Sequence, residues 1–164
     1  MGQIDAKFQG WYGALQATMR SLEKIEQEVE AETGLPMSWV ELLFYLCKDT
    51  EHDGRWRMGE LADMTLLSRG GVTRLVARME EAGLVRRETP PENRRITYAV
   101  ITEKGAEVME TAGPIQKAAV ERYFGAAITD DEAESLRQIS VRVLELVGER
   151  CDWVIQDLTA AHDA

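Results

Sequence analysis

The chain has 164 residues, 45% of them hydrophobic, and a formal net charge of −10 at neutral pH. This length and apolar content suit one domain of ordinary size, or a small domain with long flanking helices, and exclude wholesale disorder. No apolar run reaches the roughly 18 residues of a membrane span, and MGQIDAKFQGW lacks the basic start and apolar run of a secretory signal, so a cytoplasmic protein is expected.

The charge is unevenly spread. Between Arg55 and Lys104 there are 10 Lys/Arg against 7 Asp/Glu, leaving 9 against 22 elsewhere. A mildly basic module on an acidic body is compatible with nucleic acid, because affinity follows the phosphates actually neutralised. Cys47 and Cys151 stand alone, without metal-ligand spacing or a disulfide framework, as suits a reducing compartment.

From Trp11 to Glu32 the apolar residues Trp11, Leu15, Met19, Leu22, Ile25 and Val29 recur at spacings of three and four, with glutamates filling the other faces. This predicts a long amphipathic helix ended by Gly34 and Pro36. Its narrow seam suits core packing or a partner chain. Ser38-Trp-Val-Glu41 has the pattern of a capping box, and the helix it opens is apolar nearly all round, hence central. Lys48 to Arg55 reads as a loop. Met58 to Met64 reads as a short helix with Leu61 and Ala62 inward, followed by a turn at Thr65 to Leu67.

Ser68 is placed to cap the next helix, 68–82. Val72, Leu75, Val76 and Met79 share one side of it and must face a core. The other side carries Arg69, Thr73 and Ala77 in one row and Gly70, Arg74 and Arg78 in the next, with no carboxylate until Glu80. Such a helix buries one side and offers the other to a polyanion. Two helices joined by a tight turn make a helix-turn-helix whose second member is the reader.

Gly83 ends the reader helix. Leu84 to Glu88 and Arg95 to Ile101 read as strands, with TPPEN as turn chemistry between them. The hairpin is a wing carrying Arg86, Arg87, Arg94 and Arg95, its tip narrow enough to place one arginine in a minor groove. Thr102 caps another long helix, which Gly113-Pro114 should kink. Thr129-Asp-Asp-Glu132 is a capping box opening the last helix, with Leu136, Ile139, Val143, Leu146, Val147, Val154 and Leu158 at helical spacing. The expected fold is mainly α with a small β-hairpin wing: a winged helix-turn-helix (37–102) flanked by helical dimerisation regions (1–36 and 103–164).

The chain resembles winged-helix regulators of the MarR (multiple antibiotic resistance regulator) family. The residues carrying the resemblance are Met58-Gly-Glu-Leu-Ala62, Leu67-Ser-Arg-Gly-Gly-Val-Thr-Arg-Leu-Val76, Glu80-Glu-Ala-Gly-Leu-Val85, Pro91-Glu-Asn-Arg-Arg95 and Val100-Ile-Thr-Glu-Lys-Gly105. Where the family's wing usually has Asp, this chain has Asn93, which offers a wing arginine only a neutral hydrogen bond. Gly70-Gly71 costs roughly 1 kcal/mol per glycine in helix propensity. Close approach to DNA and a tight packing contact both explain it.

The resemblance implies an obligate two-fold homodimer and a palindromic operator with half-sites about one helical turn apart. It implies a transcriptional regulator, a ligand-responsive repressor; the arginine-bearing side of the reader helix assigns Ser68, Arg69, Thr73 and Arg74 to the major groove of double-stranded DNA, with Gly70 also on the DNA-binding side. Arg78 is assigned to phosphate, and Arg94 and Arg95 to the wing contact (86–96). It further implies a small aromatic or phenolic effector, for which Trp11, Tyr12, Leu15, Trp39 and Leu43 are candidate pocket residues.

One branch of the family senses peroxides through an N-terminal cysteine. Here the first helix has none, and Cys47 and Cys151 read as structural; a thiol-responsive regulator of the same fold is an alternative. His52 and His162 show no zinc-ligand pattern, and no cofactor is expected. Nothing in the sequence has the nucleophile-and-base pair, metal site or phosphate-cradling loop of an enzyme. The stronger rival is a winged-helix protein-interaction module that does not bind DNA.

Overall fold

Val72, Leu75, Val76 and Met79 are all buried, with 8% exposure or less. Around them the computed structural model describes residues 5–48, 54–65 and 67–148. The elements run α1 (Ala6–Thr33), α2 (Met37–Lys48), β1 (Arg55–Arg57), α3 (Met58–Met64), α4 (Arg69–Glu81), β2 (Val85–Glu88), β3 (Tyr98–Ile101), α5 (Glu103–Tyr123) and α6 (Asp130–Leu146). This is the mainly helical winged helix-turn-helix that the sequence predicts, with a small antiparallel sheet.

Four helices start on a side-chain cap, which satisfies amides that have no partner within the helix. Asp5 accepts from the Phe8 amide (2.9 Å), Ser68 from Gly71 (3.2 Å) and Thr102 from Gly105 (3.1 Å). At α6 the capping box closes both ways: the Glu132 amide donates to Thr129 Oγ1 (3.3 Å), and Glu132 Oε2 accepts from the Thr129 amide (2.8 Å). The predicted box at Ser38 does not form. Helix α2 starts at Met37, and the amides of Trp39 and Val40 donate to the Pro36 carbonyl (2.9 and 3.4 Å). Proline fixes its own φ at a helix-compatible value and needs no donor, so the helix begins beside it and Ser38 falls inside the first turn.

The sheet has three strands in the order β1-β3-β2, both pairings antiparallel. Arg55, assigned to a loop, opens β1 and pairs with Val100; Trp56 pairs with Ala99 and Arg57 with Tyr98. A three-residue strand is too short to show a period of two in the sequence. On the wing, β2 starts at Val85 and β3 only at Tyr98, so Arg94 and Arg95 sit in the turn rather than in a strand. Helix α5 runs as one helix through Gly113 and Pro114. Helix α6 ends at Leu146, followed by Gly148 in the left-handed region (φ 76°); the expected positions Val154 and Leu158 lie outside the described residues.

A single apolar core draws on Ile25 and Val29 of α1, on Val40, Leu42, Leu43 and Leu46 of α2, and on Leu61 of α3. It continues through the buried side of α4 to Met109, Ala112 and Ala119 of α5. The far end of α4 meets α5 at a tight joint. The Thr102 hydroxyl donates to the Gly83 carbonyl (2.7 Å), its amide to Leu84 (3.1 Å), and Lys104 Nζ to the Ala82 carbonyl (2.7 Å). These donors satisfy the carbonyls left over where α4 stops, and the lysine complements its negative end. Gly83 takes φ 75°, a left-handed conformation that glycine enters without a Cβ clash.

Gly105 is the close-packed point of the joint, because a Cβ there would overlap the Leu84 carbonyl oxygen and crowd Ile101. Gly105→Ala is therefore expected to destabilise the chain by about 1–3 kcal/mol through overpacking, despite alanine's better helix propensity. Urea unfolding should show a lower midpoint with an unchanged slope.

Candidate nucleic-acid interface

Helix α3, the turn after it and α4 form the helix-turn-helix. Buried Thr65 closes α3 by donating its hydroxyl to the Leu61 carbonyl (2.8 Å), and Ser68 opens α4. With the apolar side of α4 fixed in the core, Arg69, Gly70, Thr73, Arg74 and Arg78 are left exposed. Ser68 Oγ is committed to its cap, and the Thr73 hydroxyl donates back to the Arg69 carbonyl (2.9 Å), leaving its lone pairs outward. Among the described residues, no carboxylate lies within ion-pair distance of Arg69, Arg74, Arg94 or Arg95. Arg78 differs, since its guanidinium lies over the Trp39 ring, 5.7 Å from the centroid.

The wing's other arginines are neutralised at its stem. Arg86 donates to Glu88 Oε1 from Nε and Nη2 (2.9 and 2.7 Å), and Arg55 Nη2 reaches Glu88 Oε2 at 3.2 Å. Arg87 pairs with Glu80 of α4, its Nε donating to Oε2 (2.7 Å) and its backbone amide to Oε1 (3.0 Å). These bonds hold the Glu80 carboxyl below the ordinary glutamate range, so the pair persists at acidities where a free glutamate is protonating. Among the described arginines of the winged module, those without a carboxylate partner thus lie at two places, the outer side of α4 and the wing tip.

The wing tip is ordered by its own backbone. Asn93 Oδ1 accepts from the Arg95 amide (3.1 Å), and the Asn93 amide donates to the Pro90 carbonyl (3.1 Å). Asn93 therefore shapes the turn instead of bracing a guanidinium, and a neutral side chain suffices for that. The stem pairs were not readable from spacing. Glu80 and Arg87 are seven residues apart across a helix end and a turn, where no periodicity relates them.

The five candidate effector residues are not gathered into one cleft within the chain. Trp11, Tyr12 and Leu15 are 58%, 51% and 37% exposed, whereas Leu43 is fully buried and half-buried Trp39 lies beneath Arg78. At 1.5 Å per residue, Trp11 lies about 21 Å along α1 from Ile25, where that helix joins the core. Periodicity gives a residue's side of a helix but not its height against the neighbours. Trp11 and Tyr12 instead cluster with exposed Phe8, at ring separations of 5.6 and 6.4 Å.

Partial burial and the Glu110 carboxylate push the Cys47 thiol up, away from the reactive thiolate. Cys151, His52 and His162 lie outside the described residues. Among the described residues, no helix is long and apolar enough to cross a membrane, and no group of three His, Cys, Asp or Glu side chains could hold a metal ion.

The geometry separates the two readings of Gly70. A Cβ there would meet nothing closer than Arg74 Nη1 at 3.9 Å, so no packing contact requires glycine. Gly70→Ala should raise stability by roughly 0.5–1 kcal/mol. Ser68→Ala, which removes the cap, should lower it by about 1 kcal/mol. Thermal melts of the two variants should move in opposite directions.

Residues 33–96 match the sequence profile of the MarR family. Over 92 residues the chain is 29% identical to the HTH-type transcriptional regulator MhqR of Bacillus subtilis, a match spanning 56% of this chain and 63% of MhqR, under two thirds of that relative. Among solved structures it is similar to AbsC, a MarR family transcriptional regulator from Streptomyces coelicolor, with 29% identity and a TM-score of 0.79 over 90% of this chain and 98% of AbsC. It is equally similar to Sco3205, a MarR family transcriptional regulator of the same organism solved in complex with DNA. There the identity is 28% and the TM-score 0.79, over 88% and 94% of the two chains. Profile, relatives and architecture all point to a winged-helix regulator of the MarR family.

Proposed function

We propose that the chain is a homodimeric transcriptional regulator that binds double-stranded DNA sequence-specifically, acting as a ligand-responsive repressor on a palindromic operator. The observation that carries this reading is the placement of unpaired arginines on α4 and the wing tip, while the remaining wing arginines are neutralised. In this reading α4 lies in the major groove, with Ser68, Arg69, Gly70, Thr73 and Arg74 against base edges and sugar-phosphate. Arg78 leaves Trp39 for a phosphate, and Arg94 or Arg95 enters the adjacent minor groove. The similar Streptomyces coelicolor regulator Sco3205, solved with DNA, supports the same use of the fold.

The proposal of a dimer rests on apolar surface that the chain does not cover. Phe8, Trp11, Met19 and Leu22 of α1 and Ile139 and Val143 of α6 are each at least 40% exposed. Patches of this kind mark interaction surfaces, and a second copy meeting them about a two-fold axis presents two reader helices. Residues 1–36 and 103–164 would then form the dimerisation region and 37–102 the DNA-binding part, joined by the common core. A small aromatic or phenolic effector would act between copies, where Trp11, Tyr12 and Leu15 lie. A coupling of 1–3 kcal/mol would change operator affinity about 5–150-fold.

Selection of bound duplexes from a random pool at two salt concentrations tests the reading. A palindrome with half-sites about 10 bp apart is expected, with affinity falling steeply as salt rises. Arg69→Ala or Arg74→Ala should relax preference at one base of each half-site by about 1–3 kcal/mol, while Arg94→Ala weakens all sequences alike. Undetectable or salt-insensitive binding would transfer the fold to the protein-interaction reading. Val143→Glu should convert the species seen in sedimentation to a monomer; an unchanged sedimentation coefficient for a dimeric parent would remove α6 from the interface.

A further inference from the structure

Strand β2 is an edge of the sheet, so half of its backbone groups lack a neighbouring strand. One of these, the Arg87 amide, is taken by the Glu80 carboxylate, whose second oxygen receives the Arg87 guanidinium. A single side chain at the end of α4 therefore holds one wing residue at both its backbone and its head group. Two bonds to separate points on one residue fix rotation as well as distance, which a lone surface ion pair does not. The other side of the same joint is closed by Lys104 and Thr102 on the last carbonyls of α4 and its turn.

We propose that Glu80 is a positioning residue for DNA binding, fixing the angle between wing and reader helix so that Arg94 and Arg95 reach one groove while Arg69 and Arg74 occupy the next. This rests on the DNA-binding reading above. Glu80 itself touches no DNA in this arrangement and acts through Arg87. Its charge alone would have the opposite effect, since a carboxylate beside a polyanion repels it and its removal should strengthen binding. The two roles therefore predict opposite signs.

The test uses the full chain and the tightest duplex recovered from the random pool. Affinity is measured for the parent, Glu80→Gln, Arg94→Ala and the double variant at two salt concentrations, with thermal melts confirming that each is folded. Positioning predicts that Glu80→Gln weakens binding by about fivefold or more. It also predicts that an Arg94→Ala loss of about tenfold in the parent shrinks at least threefold in the Gln background, although the two side chains do not touch. The salt dependence of Glu80→Gln should become shallower by about one phosphate contact. Arg87→Lys, which keeps the charge but loses the planar fork, should reproduce the weakening.

Binding by Glu80→Gln as tight as the parent or tighter, with Arg94→Ala keeping its full effect, overturns the proposal. So does an Arg94→Ala variant that binds like the parent while Arg69→Ala is impaired, which leaves the reader helix in place and removes the wing. If the parent itself binds no duplex, it is the DNA-binding reading that fails.

Discussion

Burial of one side of α4 is the constraint on which the rest of the molecule depends. Val72, Val76 and Met79 are fully enclosed by the core, and each contributes roughly 1.5–3 kcal/mol on removal from water. A helix held along that line has no freedom to roll, so the identity of its outward residues is settled by the same contacts that stabilise the fold. The capping hydroxyl of Ser68 fixes where the helix begins, and the turn at Gly83 where it stops. Exposed Arg69 and Arg74 thus have positions set by side chains they never touch.

Electrostatics sharpen the picture that the bulk charge obscures. A net charge of −10 would repel a polyanion if it were uniform, but two carboxylates near the wing are spent on its stem, Glu88 on Arg55 and Arg86 and Glu80 on Arg87, while Glu92 stays in the turn beside Arg94 and Arg95. Each such exposed pair adds little to stability. Their effect is to reduce positive charge where the wing leaves the body and to leave Arg94 and Arg95 without a carboxylate partner at the tip. A surface patterned this way favours contact at a few defined points over adhesion along its whole length.

Most of the architecture was legible because it rests on local chemistry. The helical spacing of apolar residues along α4, the hydroxyl caps at Ser68, Thr102 and Thr129, and the glycines that end helices all act within a few residues of themselves. What escaped depends on partners distant in sequence or on competition between neighbours. Strand β1 exists because β3 offers it an edge, and nothing in Arg55-Trp56-Arg57 announces that. Ser38 has the composition of a cap, yet Pro36 starts the helix first. The arginine-bearing side of α4 could be read directly, whereas the Glu80–Arg87 pair needed the fold. The aromatic residues of α1 could be assigned to a side of their helix but not to a common cleft with Trp39 and Leu43.

The absence of a side chain at Gly105 has a mechanical consequence. Backbone meets backbone there, so no side chain of its own separates α5 from Leu84, which leads from the turn after the reader helix into β2. Helix α5 has 21 residues and so extends about 31 Å from this point. For a rigid rod of that length, a tilt of one-tenth of a radian corresponds to roughly 3 Å of travel at the distant end. Pinned so near its first turn, a rod of this length would turn a small tilt at the joint into ångström-scale travel at Tyr123.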